Sequence, residues 1–390
     1  MFKKKKDGED PSTMTLREHR NFLHCSAIRD FTHYDVCEMS EGDCFWHLVV
    51  ARFGSRENFA CPKCGVVDTH YFRVKRRQWR CRHCDESFSC TTGTAFQDRK
   101  LSFKKLLLAI VYFVSGAKGI ASMHMSRLLD VQVKTAFVLA GKLREALARS
   151  ADQTPLSETV ELDGGHFGGR PRKSRHKHKP TPEQIEKKIR AKIAYENGTG
   201  PYPRPSMTRR NIERRKKRRI VFVLRQHSGI EGHGAVRTIV AILNAENDKE
   251  VTPVIEANVI KGALIMTDEN NAYVRLSANY EHEVVNHTQS YSTVDGVNEN
   301  QAEAFFSRLR RYYLGISHKC EPKYLADIAW EMAWREDVRR KTEGEKSAHL
   351  LKTTSANGRS IKWRGYWQKR KVQAAPPSSS SPPTSAASAS

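Results

Sequence analysis

The sequence predicts a multi-domain protein: a small metal-clamped module, a helical block, and a larger α/β domain interrupted by a basic insertion. Three observations predict it. Two Cys-x-x-Cys pairs lie between 61 and 84, apolar residues recur at intervals of three and four between 101 and 150, and strand-like and helix-like runs alternate from about 159 to 343. A chain of 390 residues has room for two or three such units with at least one sizeable core.

Charge narrows the class of partner. With 67 Lys and Arg against 43 Asp and Glu, the net charge of +24 gives a field that concentrates a polyanion at the surface, and nucleic acid is the obvious one. A packing protein and a nucleic-acid enzyme share this excess, so composition does not separate them. No apolar run approaches the roughly 18–20 residues of a membrane helix, and no hydrophobic segment follows the opening MFKKKKDGED. The expectation is an intracellular, soluble chain with no membrane partner. Nine cysteines, four of them in two pairs without an export signal, favour metal thiolates over disulfides.

The ends carry little folding information. Residues 1–20 are charged without an apolar period, and 374–390 are nearly all Ala, Pro, Ser and Thr, so both are expected to be disordered. Residues 21–57 read as a helical lead, and 346–373 as a basic extension. Between them, 58–92 has the spacing of a zinc ribbon. Cys61 and Cys64 form one knuckle, Cys81 and Cys84 the other, with 16 residues between the pairs. Each knuckle can present two thiolates to one tetrahedral Zn²⁺, and four sulfurs close the site, which marks a structural metal. Two short strands, His70 to Val74 and Arg77 to Cys81, are expected between them. His70 and His83 could compete as ligands, but the simpler reading leaves them on the surface. Cys25, Cys37, Cys44, Cys90 and Cys320 fall outside the spacing and are unassigned.

The block 101–150 reads as three helices. Phe103, Leu106, Leu107, Ile110 and Phe113 or Val114 form one apolar stripe over Ser102 to Ser115. A second helix covers Ile120 to Leu129, and Asp130-Val131-Gln132 turns into a third over Val133 to Ala148. That spacing fits a helix-turn-helix, in which Gln132, Lys134 and Thr135 would reach DNA bases. A plain helical bundle joining two domains is the competing reading.

In the α/β domain, 155–345, the informative residues are acids. Thr159 to Asp163 is a β-prone run ending in a carboxylate before a glycine-rich stretch, Gly164 to Gly169, read as a turn. Ala263 to Asp268 repeats the device. Arg219 to Arg225 and Val236 to Ile242 are further strand or helix candidates. Asn300 to Glu303 opens a helix whose stripe Phe305, Phe306, Leu309 and Tyr313 leaves Asn300 and Glu303 together on another face. Glu303 follows Asp268 by 35 residues. The insertion, 170–219, holds 19 Lys or Arg and four acids, with many Pro and Gly and one short helix expected around Pro182 to Tyr195.

Taken together, the knuckles CPKC and CRHC, the run GIASMHMSRLLDVQVKTA, and the motifs ELDGGHFGG, MTDENNAY, VVNHTQSYS, NENQAEAFFSRLRR and EMAWRED resemble insertion-sequence transposases with an N-terminal zinc ribbon, the bacterial relatives of the Merlin elements. The resemblance spans about residues 57–340. It implies a ribonuclease-H-like sheet carrying Asp163, Asp268 and Glu303 as a catalytic triad of the DDE kind. Its chemistry is two-metal phosphodiester cleavage and strand transfer, with Asp163 shared between two Mg²⁺ or Mn²⁺ ions and Asp268 and Glu303 holding one each. The implied partners are DNA, both transposon ends and target, and other copies of the chain, at least a dimer on DNA. Two departures stand out: many relatives have an acid directly after the first Asp where this chain has Gly164, and a long basic insertion follows Gly169, whose role the resemblance does not explain.

Other acids and histidines compete for roles. Glu299 precedes the helix of Glu303 and lacks its aromatic stripe. Glu161 shares a strand face with Asp163, and serves either as support behind it or at the strand edge. His282 and His287 lie between the second and third acids, with a structural role the simpler reading, and Glu269 reads as solvated. Two other functions are compatible with the same features: a domesticated DNA-binding regulator with idle acids, and a ribonuclease-H-like nuclease without strand transfer.

Overall fold

The computed structural model describes residues 25–168, 181–201, 209–230, 233–284, 300–318 and 320–368, with only the backbone of Asn300. The expectations for the two chain ends, for His287 and Glu299, and for much of the insertion lie outside these residues.

The helical lead forms two helices, α1 (His33–Glu38) and α2 (Glu41–Phe53). Each starts at a capping box: Thr32 pairs with Asp35 and Ser40 with Asp43, satisfying amides that a helix start leaves open. Five short strands follow: β1 (Asn58–Ala60), β2 (Val67–Thr69), β3 (Tyr71–Arg73), β4 (Gln78–Arg80) and β5 (Ser87–Phe88). β1 pairs with β2, and β3, β4 and β5 make an antiparallel three-stranded sheet. The two expected ribbon strands are thus present, shortened, as β3 and β4.

The helical block forms α3 (Phe103–Ser115), α4 (Ser122–Leu128) and α5 (Val133–Arg149). Ser102 caps α3 by accepting from the Lys105 amide. The α3 stripe, Leu106, Leu107, Ile110 and Phe113, shares one core with Phe45 and Leu48 of α2 and with Phe59, Trp79 and Phe88 of the ribbon. Ribbon and helices are therefore one packed unit.

The α/β domain begins with β6, and here the expectation of a strand ending at Asp163 is corrected. The strand runs from Thr159 to Phe167, so Gly164 and Gly165 lie within it and no turn follows Asp163. Its neighbour pairs with it from Val160 through Phe167, which holds the glycines extended. The glycines are there because a Cβ on Gly165 would stand 2.3 Å from the Phe306 ring and one on Gly164 would stand 2.5 Å from the Glu246 carboxyl. Two helices of the basic stretch, α6 (Pro182–Glu196) and α7 (Arg209–Lys216), precede β7 (Arg219–His227) and β8 (Ala235–Leu243). Then come α8 (Asp248–Asn258), β9 (Leu264–Thr267), β10 (Glu281–Val284), α9 (Asn300–Arg311), α10 (Pro322–Asp337) and α11 (Glu343–Ala356).

The sheet order is β10-β9-β6-β7-β8, antiparallel across β6, β7 and β8 and parallel across β6, β9 and β10. Alternation along the strands divides the side chains. Val160, Leu162, Phe222 and Leu224 bury against Val251 and Ile255 of α8. Phe167, Val221 and Val223 bury against Phe305, Phe306 and Leu309 of α9 and Ile328 and Met332 of α10.

The stretch 346–373, read as a basic extension, is instead structural through residue 368. Leu350 and Leu351 of α11 join the ribbon-and-helix core. Beyond α11 the chain folds back on α5, where the buried Glu145 accepts from the amides of Ile361 and Lys362 at 2.9 and 3.0 Å. Charge composition concealed this because α11 is held by a few apolar residues set among many polar ones. The two halves meet at a buried ionic cluster. Arg144 of α5 donates to Glu331 at 2.6 Å and to the Tyr312 hydroxyl at 2.9 Å, and Arg335 donates to Glu331 and to carbonyls at the end of α3.

Candidate active site

The four cysteines converge. Their sulfurs lie within 4.8 Å of one another, with Cys61 and Cys84 at 3.8 Å and Cys64 and Cys81 at 3.6 Å. Each knuckle is shaped by its backbone: the Gly65 amide donates to the Cys61 carbonyl, and Gly65 and Asp85 take left-handed φ values of 75° and 56° just after the second cysteine of each pair. Four thiolates at this separation match the donor set of a structural zinc. Neither histidine belongs to the cluster. His83 is half-exposed and bonds Asp68 at 3.1 Å. His70, expected at the surface, is buried, with Nε2 against the Phe59 carbonyl at 3.1 Å and its ring edge-on to Phe59 and Phe88. The ribbon's aromatic core needs that volume filled, a demand that spacing alone does not reveal.

The acids gather at one end of the large sheet. β6 and β9 run parallel with Glu161 opposite Met266, and the same offset carried two residues further sets Asp268 beside Asp163. Asp268 lies just past the end of β9, near enough for its charge to act on Asp163. Burial pushes the Asp163 carboxyl up to about 6. The Gly164 amide and Arg310 oppose the shift, while the charges of Asp268 and Glu303 add to it. Glu303 stands in the first turn of α9, exposed, and Arg310 lies on the same helix. Glu269, read as solvated, is exposed.

Glu161 explains how α9 comes to point at Asp163. Fully buried, it accepts from the amides of Gln301 and Ala302 with Oε2, both at 2.9 Å, while Oε1 meets His227 Nε2 at 2.5 Å. A strand carboxylate thus satisfies the open amides at the start of α9, where the helix dipole also favours a negative charge. Of the two readings open for Glu161, the structure gives support behind the acids. Glu161→Gln is expected to lower stability by about 1–3 kcal/mol, because charge-assisted bonds to buried amides become neutral or are lost. A urea melt measures this, and an unchanged midpoint would contradict it.

His282 is also structural. It sits on β10 with Nε2 2.8 Å from Thr267 Oγ1, and burial holds its pKa below the usual histidine value. Two residues near the acids escape the sequence reading. His227, at the end of β7, orients Glu161. Glu246 lies in the loop between β8 and α8, half-buried, and its Oε1 accepts from the Tyr273 hydroxyl at 2.8 Å. An acid just beyond a strand was the available signal for Glu246, but β8 was not fixed as a strand in the sequence.

Comparison with protein-family models gives two matches. Residues 155–337 match the ISXO2-like transposase domain, and residues 39–87 match the transposase zinc-ribbon domain, together more than half of the chain. The chain belongs to the zinc-ribbon insertion-sequence transposases. No curated protein and no solved structure matches it. The transposase domain holds Asp163, Asp268 and Glu303, and the zinc-ribbon match holds all four clustered cysteines. The zinc-ribbon match begins at residue 39, so this transposase's α2 belongs with its ribbon, in keeping with their common core. Among the described residues, no helix is long and apolar enough to cross a membrane.

The residues expected to read DNA stand at the start of α5. Gln132, Lys134 and Thr135 are exposed, on the rim of a cleft of about 720 Å³ whose far wall is Trp363 to Gln368. Trp367 donates to the Lys134 carbonyl at 3.4 Å, and the Lys134 ammonium lies 5.4 Å from its ring. The second half of α5 is buried, Leu143, Ala146 and Leu147 included, so only its first turn is free to meet a partner.

Proposed function

We propose that this transposase binds the terminal inverted repeats of its element and uses Asp163, Asp268 and Glu303 to cut DNA at the element ends and join the 3′-hydroxyls to target DNA. The observation that carries this reading is the register of β6 and β9, which sets Asp163 beside Asp268, with Glu303 near enough to act on Asp163. The strand order, three antiparallel strands continued on one side by two parallel ones, supports a ribonuclease-H-like fold. Oxygen donors of this kind suit Mg²⁺ or Mn²⁺, as the clustered thiolates suit zinc. Divalent ions held there would activate a water or 3′-hydroxyl and stabilise the leaving oxygen. The chain's own part is placement: β6 and β9 fix two carboxylates side by side, and Glu161 aims the helix of the third. Because two ends are processed together, at least a dimer is expected on DNA.

The end-binding role falls to the ribbon and to the first turn of α5, with Gln132, Lys134 and Thr135 as the base-reading residues of a helix-turn-helix. A strand-transfer assay tests the whole. Incubated with Mg²⁺ and an end-bearing duplex, the protein should convert it into joined product. Cleavage without joining supports a nuclease, and binding without either supports a domesticated regulator.

The insertion has a place in the same reading. Arg215 and Lys216 of α7, with Arg218 and Arg219, line a cleft of about 500 Å³ that reaches Glu246 and Asn270 beside the acids. We assign this wall to the DNA backbone next to the cut. Replacing the four cations by Gln should weaken binding to all sequences alike and flatten the salt dependence by up to about 3–4 units of log–log slope. An unchanged slope would remove the insertion from the DNA path.

A further inference from the structure

The side chain that stands where a residue larger than glycine at 164 would be is Glu246, and the helix that follows does not require an acid there. α8 is capped by Asn247, whose side chain accepts from the Glu250 amide at 3.0 Å, so Glu246 is not needed to start the helix. Its carboxyl lies against the backbone of Gly164, 2.5 Å from the position of a Cβ on that residue. Gly164 in turn donates its amide to Asp163 Oδ1 at 2.6 Å, so the two carboxylates flank one residue of β6.

A second tie runs to Asp268. The Asn270 amide donates to Asp268 Oδ1 at 3.2 Å, and Asn270 and Tyr273 both bond Glu246 from the turn that follows. One short segment thus holds Asp268 and Glu246 in a fixed relation. The groups that act most on Glu246 are burial, Tyr273, the charges of Asp163 and Asp268, and Asn270, and no cation is among them. A half-buried carboxylate on which two others act is unfavourable unless it holds a proton or a positive ion is shared, and an ion would draw on all three. Glu246 also lies at the end of the cleft lined by Arg215, Arg218 and Arg219, where a phosphate held by those cations would approach.

We infer that Glu246 is a fourth carboxylate of the divalent-ion site, joining Asp163 and Asp268 from the loop between β8 and α8. This rests on the assignment of Asp163 and Asp268 to that site. The alternative is that Glu246 only anchors Tyr273 and its turn. Substitution by Gln keeps the size and the acceptor for Tyr273 while removing the charge, and Glu246→Asp keeps the charge on a shorter arm.

The experiment is a calorimetric titration of the full-length, zinc-loaded protein with Mn²⁺, with melting of the metal-free-site protein recorded beside it. Glu246→Gln should weaken Mn²⁺ binding about 10-fold or more without lowering the melting temperature, and Glu246→Asp should recover part of the affinity. Unchanged Mn²⁺ affinity in Glu246→Gln, alongside a clear loss in Asp268→Asn, would overturn the inference and leave the carboxylate site intact. Unchanged affinity in both variants would overturn the site assignment itself, and the inference with it. A lower melting temperature with unchanged Mn²⁺ affinity would make Glu246 an anchor only.

Discussion

Asp268→Asn and Glu303→Gln are each expected to lower both cleavage and joining by roughly 100-fold or more while DNA binding persists. In each case an acceptor-only carboxylate becomes an amide of nearly the same size. Packing should survive, because Glu303 is exposed on the first turn of α9 and Asp268 lies just beyond the end of β9. What is lost is one negative ligand in a site whose charges already act on one another. Both activities should fall together, because the proposed function gives one set of acids to hydrolysis and transfer alike. Glu299→Gln should by contrast keep substantial activity. A gel assay of cut and joined products, with binding followed by fluorescence anisotropy, measures each. If Glu303→Gln stays active and Glu299→Gln is dead, the third acid is misplaced.

Cys64→Ser should release zinc and unfold the N-terminal unit. Cys64 is the exposed member of the four, so the exchange removes a metal ligand and little else. Structural zinc contributes about 10–16 kcal/mol to small zinc-finger peptides, more than a ribbon of three-residue strands can replace. Phe59, Trp79 and Phe88 lie in the same core as Phe45 and Leu106, so the damage should spread into α2 and α3. The sheet of the transposase domain has its own core around Phe222 and Leu162 and should stay folded. Zinc content should drop from one equivalent to near zero, with a red shift of tryptophan emission and weaker DNA binding. Full zinc occupancy would contradict the assignment.

What could be read from the residues was what depends on local pattern. The Cys-x-x-Cys pairs declare their geometry because each knuckle is a few residues of backbone. The α3 stripe and its Ser102 cap are equally local. The expected helix around Pro182 to Tyr195 is found as α6, Pro182–Glu196, where Thr181 supplies the cap. What could not be read depends on residues far apart in the chain. Gly164 and Gly165 look like a turn until Glu246 and Phe306 are seen to fill the space on the two faces of the strand beside them. The role of Glu161 requires α9, some 140 residues later, to start where the carboxylate can reach its amides. The charge-rich stretch 346–373 reads as an extension because its few apolar residues declare a core only once the ribbon and α3 are in place.

The central claim is that Asp163, Asp268 and Glu303 hold the divalent ions that cut and join DNA. The most direct measurement is a metal-switch experiment on Asp268→Cys with an end-bearing duplex. A thiolate is a poor partner for Mg²⁺ and a better one for softer divalent ions. The account predicts that this variant binds DNA normally, is inactive in Mg²⁺, and regains part of its cleavage and joining in Mn²⁺, while Asp268→Ala regains neither. Activity of Asp268→Cys in Mg²⁺ equal to that of the unaltered protein, or equal recovery of the Cys and Ala variants in Mn²⁺, would contradict it.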